Sequence, residues 1–204
     1  MRFAALTFAL LTAASSALGD PPAPADAGPA TASADAGAAT AGATAVVNAV
    51  GLPRAPDFSV ESTAGRTRHL RDYLGRVVII IYEDRDSNQQ NNPLKEALAA
   101  RARREDLSRD VSLVAVANLS AYDFWPARGY ARDAVLEIAQ QMGYELMIDW
   151  SGAMSTAYRF RPGRSHVMVL SRDGRVLFRH AGPMSSEARE SFFALLTEAA
   201  RASR

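Results

Sequence analysis

Five consecutive β-branched residues, Val77-Val78-Ile79-Ile80-Ile81, are the strongest constraint on how this chain folds. A strand with one wet face alternates apolar and polar residues, whereas an unbroken run suits a strand covered on both faces. Covering both faces of a sheet takes helices on each side, so the run predicts an α/β domain with this strand at its centre.

The flanking pattern agrees. Asp57-Phe58-Ser59-Val60 predicts a short edge strand, and Thr67 to Leu74 a helical turn closed by Gly75. After the central strand, Pro93 suits a helix's first turn, with Asn91 or Asn92 as cap and Leu94, Leu98, Ala102 and Leu107 as the apolar stripe. Val111 to Ala117 reads as a second strand; Ala131, Val135, Ile138 and Met142 recur at helical spacing up to Gly143. Leu146-Met147-Ile148 is a strand fragment, followed by a brief helix over Ala153 to Tyr158. His166 to Leu170 and Arg175 to His180 flank Asp173-Gly174, a hairpin signal, and a last helix runs from about Ser185 to Arg201, burying Phe192, Leu195, Leu196 and Ala199. Helix-separated strands pair in parallel, and the terminal hairpin adds antiparallel strands. The expected architecture is a mixed sheet between helices with a C-terminal β-hairpin plus helix.

Residues 1–19 read as a signal peptide: Arg2 gives one positive charge, Phe3 to Ala14 is apolar but short for a bilayer, and small residues Ala17 and Gly19 frame a cleavage site. Residues 20–50 are an Ala/Gly/Pro-rich tether too poor in large apolar side chains to offset their backbone entropy. Residues 51–204 fit one domain with a single core. The chain is thus expected in a periplasm or outside the cell, with no further apolar stretch long enough to span a membrane. The formal net charge of +1 gives no overall field favouring nucleic acid. Arg101, Arg103 and Arg104 are interrupted by acidic neighbours and read as a solvated helix face.

The central strand leads into Glu83-Asp84-Arg85-Asp86-Ser87-Asn88-Gln89-Gln90-Asn91, and the chain contains no cysteine. Pro56 to Val60, Met147 to Tyr158 and Val167 to Val176 resemble, in that order, the first strand of a redoxin, the segment before the cis-proline loop and the hairpin after it. Over most of Pro53 to Ala200 the chain resembles the thioredoxin-like superfamily, in its redoxin and TlpA-like branch. The resemblance implies a three-layer α/β/α sandwich. The amino terminus and Gly182 to Ala188 are similar to periplasmic YtfJ-type proteins, a group whose members can also lack the cysteine pair. Two departures from the superfamily pattern stand out. The cysteine pair falls near Ser87 to Gln90, and the cis-proline falls at Ser165, within Gly163-Arg164-Ser165-His166. A cis bond before a non-proline residue costs about 2.5–4 kcal/mol, so Arg164–Ser165 is expected to be trans. Without a thiolate there is no disulfide exchange and no thiol peroxidase chemistry.

The resemblance brings the end of the central strand beside the start of the His166 strand, so Asp84, Asp86, Ser87, Asn88, Gln89 and Gln90 are expected to share a surface with Ser165 and His166. Four uses of it stand side by side. Asp84, Ser87 and His166 are a candidate hydrolytic group, without a Gly-x-Ser-x-Gly elbow. Glu83, Asp84, Asp86 and His166 are candidate cation ligands, against a plain solvated acidic loop. The N–H groups at the helix start are a candidate carboxylate site, against ordinary capping by Asn91 or Asn92. Binding without chemistry is the fourth. His69 and His180 lack ligand-spaced companions and read as surface or half-buried residues. Tyr122, Phe124, Trp125 and Tyr130 form an aromatic loop that either packs on the domain edge or presents a partner surface. The expectation is a redox-inactive thioredoxin-like binding or scaffold module of the cell envelope. Its partner is an envelope protein or peptide, and no cofactor or metal is implied. The alternative is a non-thiol enzyme at Asp84, Ser87 and His166.

Overall fold

A computed structural model describes residues 52–104 and 109–202. The expected signal peptide, the tether and Leu107 lie outside the described residues. Seven strands and four helices follow one another: β1 (Ser59–Ser62), β2 (Thr67–His69), β3 (Val77–Glu83), α1 (Asn92–Arg104), β4 (Val111–Asn118), α2 (Ala127–Met142), β5 (Met147–Asp149), α3 (Ala153–Tyr158), β6 (His166–Leu170), β7 (Val176–Ala181) and α4 (Ser186–Arg201). They form one mixed sheet in the order β2-β1-β5-β4-β3-β6-β7. β3 pairs in parallel with β4 and β4 with β5, while β6 runs antiparallel to β3, and β7 to β6.

The β-branched run is buried on both faces as its composition demands. Val78, Ile80 and Tyr82 face a core shared with Met154 and Tyr158 of α3 and with Phe160. Val77, Ile79 and Ile81 face Leu94 and Leu98 of α1 and Phe192, Phe193 and Leu196 of α4. Beside them α2 covers β4 and β5 through Ala131, Val135 and Ala139, packed against Ile148, Ala115 and Ala117. Three layers result, with α1, α2 and α4 on one face and α3 on the other. Side-chain capping closes the start of α4, where Ser185 Oγ accepts the Ala188 N–H at 3.1 Å. Gly143, at φ +69°, ends α2 in the left-handed region that favours glycine.

Three expectations need correction. Thr67 to His69 is a strand, not the start of a helical turn: Gly65, at φ +76°, lets the chain reverse, and β2 pairs with β1. Only Leu70–Asp72 is helical, as a 3-10 turn in which Asp72 accepts the His69 N–H. For the same reason β1 is not an edge strand, since β2 covers it on one side and β5 on the other. Arg101 is not simply solvated: its guanidinium lies 4.4 Å over the Phe193 ring, packing α1 against α4.

Candidate functional site

The pairing of Tyr82 with His166 fixes the site, because it brings the turn after β3 against the loop before β6. In that turn Ser87 folds back on Asp84. Ser87 Oγ and N–H donate to Asp84 Oδ1 at 2.6 and 3.0 Å, and Ser87 Oγ accepts the Asp84 N–H at 2.9 Å. The other carboxylate oxygen, Asp84 Oδ2, accepts the Gly163 N–H at 2.6 Å. Gln90 then bridges the facing loop as a peptide group would. Its Nε2 donates to the Gly163 carbonyl at 2.7 Å and its Oε1 accepts the Ser165 N–H at 3.0 Å.

Asn91 lies deeper, 1 % exposed. Its Nδ2 donates to Ser165 Oγ at 2.9 Å and to the Gly182 carbonyl at 3.0 Å, and its Oδ1 accepts the Met184 N–H at 2.9 Å. The Asn91 carbonyl accepts the Lys95 N–H, so Asn91 precedes α1 in the cap position, yet its side chain does not cap. This corrects the capping expectation: a buried amide surrounded by one hydroxyl, one carbonyl and one N–H satisfies more groups there than at the helix end. Ser165 Oγ donates to Glu83 Oε1 at 2.8 Å, and Lys95 Nζ donates to Glu83 Oε2 at 2.9 Å and to the Asn88 carbonyl. Burial pushes the Glu83 carboxyl above its usual range, against the opposing pull of Lys95 and Ser165.

His166 is 2 % exposed and stacked on Phe160, ring centroids 4.5 Å apart. Its Nε2 accepts the Arg161 N–H at 2.8 Å, while Nδ1 has no hydrogen-bond partner. Desolvation holds the ring below the usual histidine range. Asp84 and Ser87 are therefore brought together, but His166 is tied to Arg161 and takes the Ser87 proton from neither side. A hydrolytic relay needs the base hydrogen-bonded to the nucleophile, and the hydrogen bonds present do not make one. Among the described residues no three His, Asp or Glu side chains gather as cation ligands, so Glu83, Asp84, Asp86 and His166 do not converge.

Of the eight expected surface residues, Ser87, Ser165 and His166 are buried, Asp84 and Gln90 are half-buried, and Asp86, Asn88 and Gln89 are exposed. Missed from the sequence were Asn91 as a crosslink, Gly163, and the Gly182 and Met184 backbone. Among the described residues the one cis peptide bond is Trp125–Pro126, and Arg164–Ser165 is trans as expected. The aromatic loop divides: Tyr122 packs against the α2 core, whereas Phe124, Tyr130 and Trp125 are 59, 66 and 92 % exposed. His69 and His180 are half-buried, His180 Nε2 lying 3.2 Å from the Pro183 carbonyl.

No protein-family model and no curated protein matches the sequence. Solved structures do match. A protein described as the thiol:disulfide interchange protein DsbE of Chlorobium tepidum is 18% identical with a TM-score of 0.55, over 72% of this chain and 96% of its own. The bacterioferritin comigratory protein of Xanthomonas campestris gives 16% and 0.52, over 70% and 92%. An uncharacterized conserved protein of Geobacillus kaustophilus gives 16% and 0.54, over 74% and 82%. Identity at this level speaks for architecture alone, and together with the seven-stranded mixed sheet it shows that this chain has the thioredoxin-like α/β fold.

Proposed function

We propose that this protein is a redox-inactive thioredoxin-like module that binds or scaffolds other components of the bacterial cell envelope. One observation carries the reading: where the resemblance places the redox pair and its cis-proline, Asp84 bonds Ser87, Gln90 and Asn91 bond Ser165, and the Gly163 backbone links the two groups. Each polar group spent on a neighbour is unavailable to a substrate, and no thiol exists anywhere in the sequence. What the domain retains toward solvent is a surface, made of Asp86, Asn88 and Gln89 beside the loop before β6. The similarity of the amino terminus to secreted, YtfJ-type chains supports the envelope location, and among the described residues no helix is long and apolar enough to cross a membrane.

Two assays on the purified chain test the reading. Insulin reduction and peroxide consumption are expected at the rate of the uncatalysed control, and turnover in either without an added thiol protein would overturn it. The alternative, a non-thiol hydrolase at Asp84, Ser87 and His166, predicts ester or amide hydrolysis that is lost in Ser87→Ala and His166→Ala alike.

A further inference from the structure

β7 is the last strand of the sheet, and among the described residues the pairing on its outer edge is confined to the start. There the Val176 N–H donates to the Pro53 carbonyl and Arg54 bridges Arg175. From Leu177 to Ala181 no other described strand lies against it. The Gly182 N–H donates to the Ser165 carbonyl, and with the register of β6 and β7 this makes 167/180 and 169/178 the pairs that exchange hydrogen bonds. The backbone groups of Arg179 and Ala181 consequently turn outward, unpaired by the sheet.

Arginines lie on β7 itself and in the segment between α3 and β6, its partner strand. Arg179 is on the α3 face of β7, opposite Met168, and its Nη2 donates to the Tyr158 carbonyl and, at 3.4 Å, to the Arg159 carbonyl. Arg164 reaches beside Gly182, where an added Cβ would meet its Nη1 at 3.3 Å. Arg159, Arg161, Arg164 and Arg179 are all exposed, and none forms an ion pair with a described residue. Arg159 is moreover held at φ +54°, where any residue with a Cβ is disfavoured. By contrast, at the opposite edge of the sheet Arg66 and Arg68 both pair with Glu145.

We infer that the outer edge of β7 receives an extended acidic segment of a partner protein as an added strand, with its carboxylates on Arg159, Arg161, Arg164 and Arg179. This rests on the binding-module reading and names the kind of partner. Strand addition supplies backbone pairing without sequence demands; the planar guanidinium forks supply the selection for carboxylates. Two copies of the chain joined at β7 would set Arg179 near its own counterpart, a like-charge pairing that disfavours self-association. A lipid surface fits less well, because among the described residues the exposed large apolar side chains are Leu74, Phe124, Trp125 and Tyr130, none of them in the arginine group.

The test uses the full chain and a fluorescein-labelled ten-residue peptide alternating Glu and Val, followed by anisotropy. Saturable binding is expected, weakened by salt, absent with Lys in place of Glu, and lost when alternate peptide nitrogens are methylated. The double variant Arg161→Gln/Arg164→Gln, at exposed positions outside the core, is expected to bind about tenfold more weakly. No binding, equal binding of the methylated peptide, or affinity in the double variant equal to the parent would overturn the inference, as would preferential capture by phosphatidylglycerol vesicles. Insulin reduction by the same preparation would sink the module reading instead, so the two failures are distinguishable.

Discussion

Asn91 and Ser165 are joined by a 2.9 Å hydrogen bond, Nδ2 to Oγ, across 74 residues of sequence. The bond ties the start of α1 to the start of β6, and the other amide contacts of Asn91 extend the tie to Gly182 and Met184 ahead of α4. Three segments that converge on the end of the sheet thereby share one buried side chain.

Removing that amide leaves the Met184 N–H and the Gly182 carbonyl without their partner in a dry setting, each worth about 1–3 kcal/mol. Asn91→Ala is expected to lower unfolding stability by about 2–4 kcal/mol, read as a shift of the urea midpoint. A loss below about 0.5 kcal/mol, the size of an ordinary surface change, would mean that water replaces the amide at no cost.

Gln90 gives a sharper comparison, because its two amide atoms meet opposite partners, the Gly163 carbonyl and the Ser165 N–H. Gln90→Glu keeps the acceptor and turns the donor into a second acceptor facing a carbonyl oxygen. It is expected to cost more than Gln90→Ala, by about 1 kcal/mol. Equal losses in the two variants would show that the orientation of the amide does not matter.

Arg128 lies 4.4 Å over the Trp150 ring and pairs with Asp123 and, at 3.8 Å, with Glu61. Lysine keeps the charge but not the flat face, so Arg128→Lys is expected to cost about 0.5–1 kcal/mol and to alter Trp150 emission. Since Trp125 is 92 % exposed, the comparison is made in a Trp125→Phe background, where Trp150 alone reports. An unchanged spectrum and midpoint would remove the stacking contribution.

How far the sequence reveals this arrangement depends on the range over which each signal acts. The β3 run, the Asp173-Gly174 turn and the apolar spacing of α2 and α4 are local, and each element forms where its residues demand it. β2 escapes because three residues, Thr67 to His69, carry no periodicity and the deciding feature is the turn at Gly65. The gathering of Ser87 and Ser165 follows from the order of strands. That these residues satisfy one another does not, since an asparagine before a helix reads locally as a cap, and the groups that draw Asn91 away belong to Ser165, Gly182 and Met184.

Two ionisable groups at this end of the sheet, the buried His166 and the half-buried Glu83, give opposite pH dependences. Desolvation lowers the His166 pKa from 6.5, so the unfolded chain binds the proton more readily, and stability falls as pH drops below 6.5 through the folded value. Arg179 and Arg164 push the same way, and the Arg161 backbone contact and Asp84 oppose them. Glu83 is raised from 4.5, chiefly by burial, so the folded chain holds that proton more tightly and stability rises as pH falls toward 4.5. In the parent the two slopes partly cancel. His166→Gln keeps an acceptor for the Arg161 N–H but does not titrate, and is expected to abolish the acid-side loss below 6.5. Glu83→Gln keeps the acceptor for Ser165 and is expected to steepen that loss. Urea midpoints measured from pH 4.5 to 7.5 decide between these outcomes: curves parallel to the parent for both variants would show that neither group changes its proton affinity on folding.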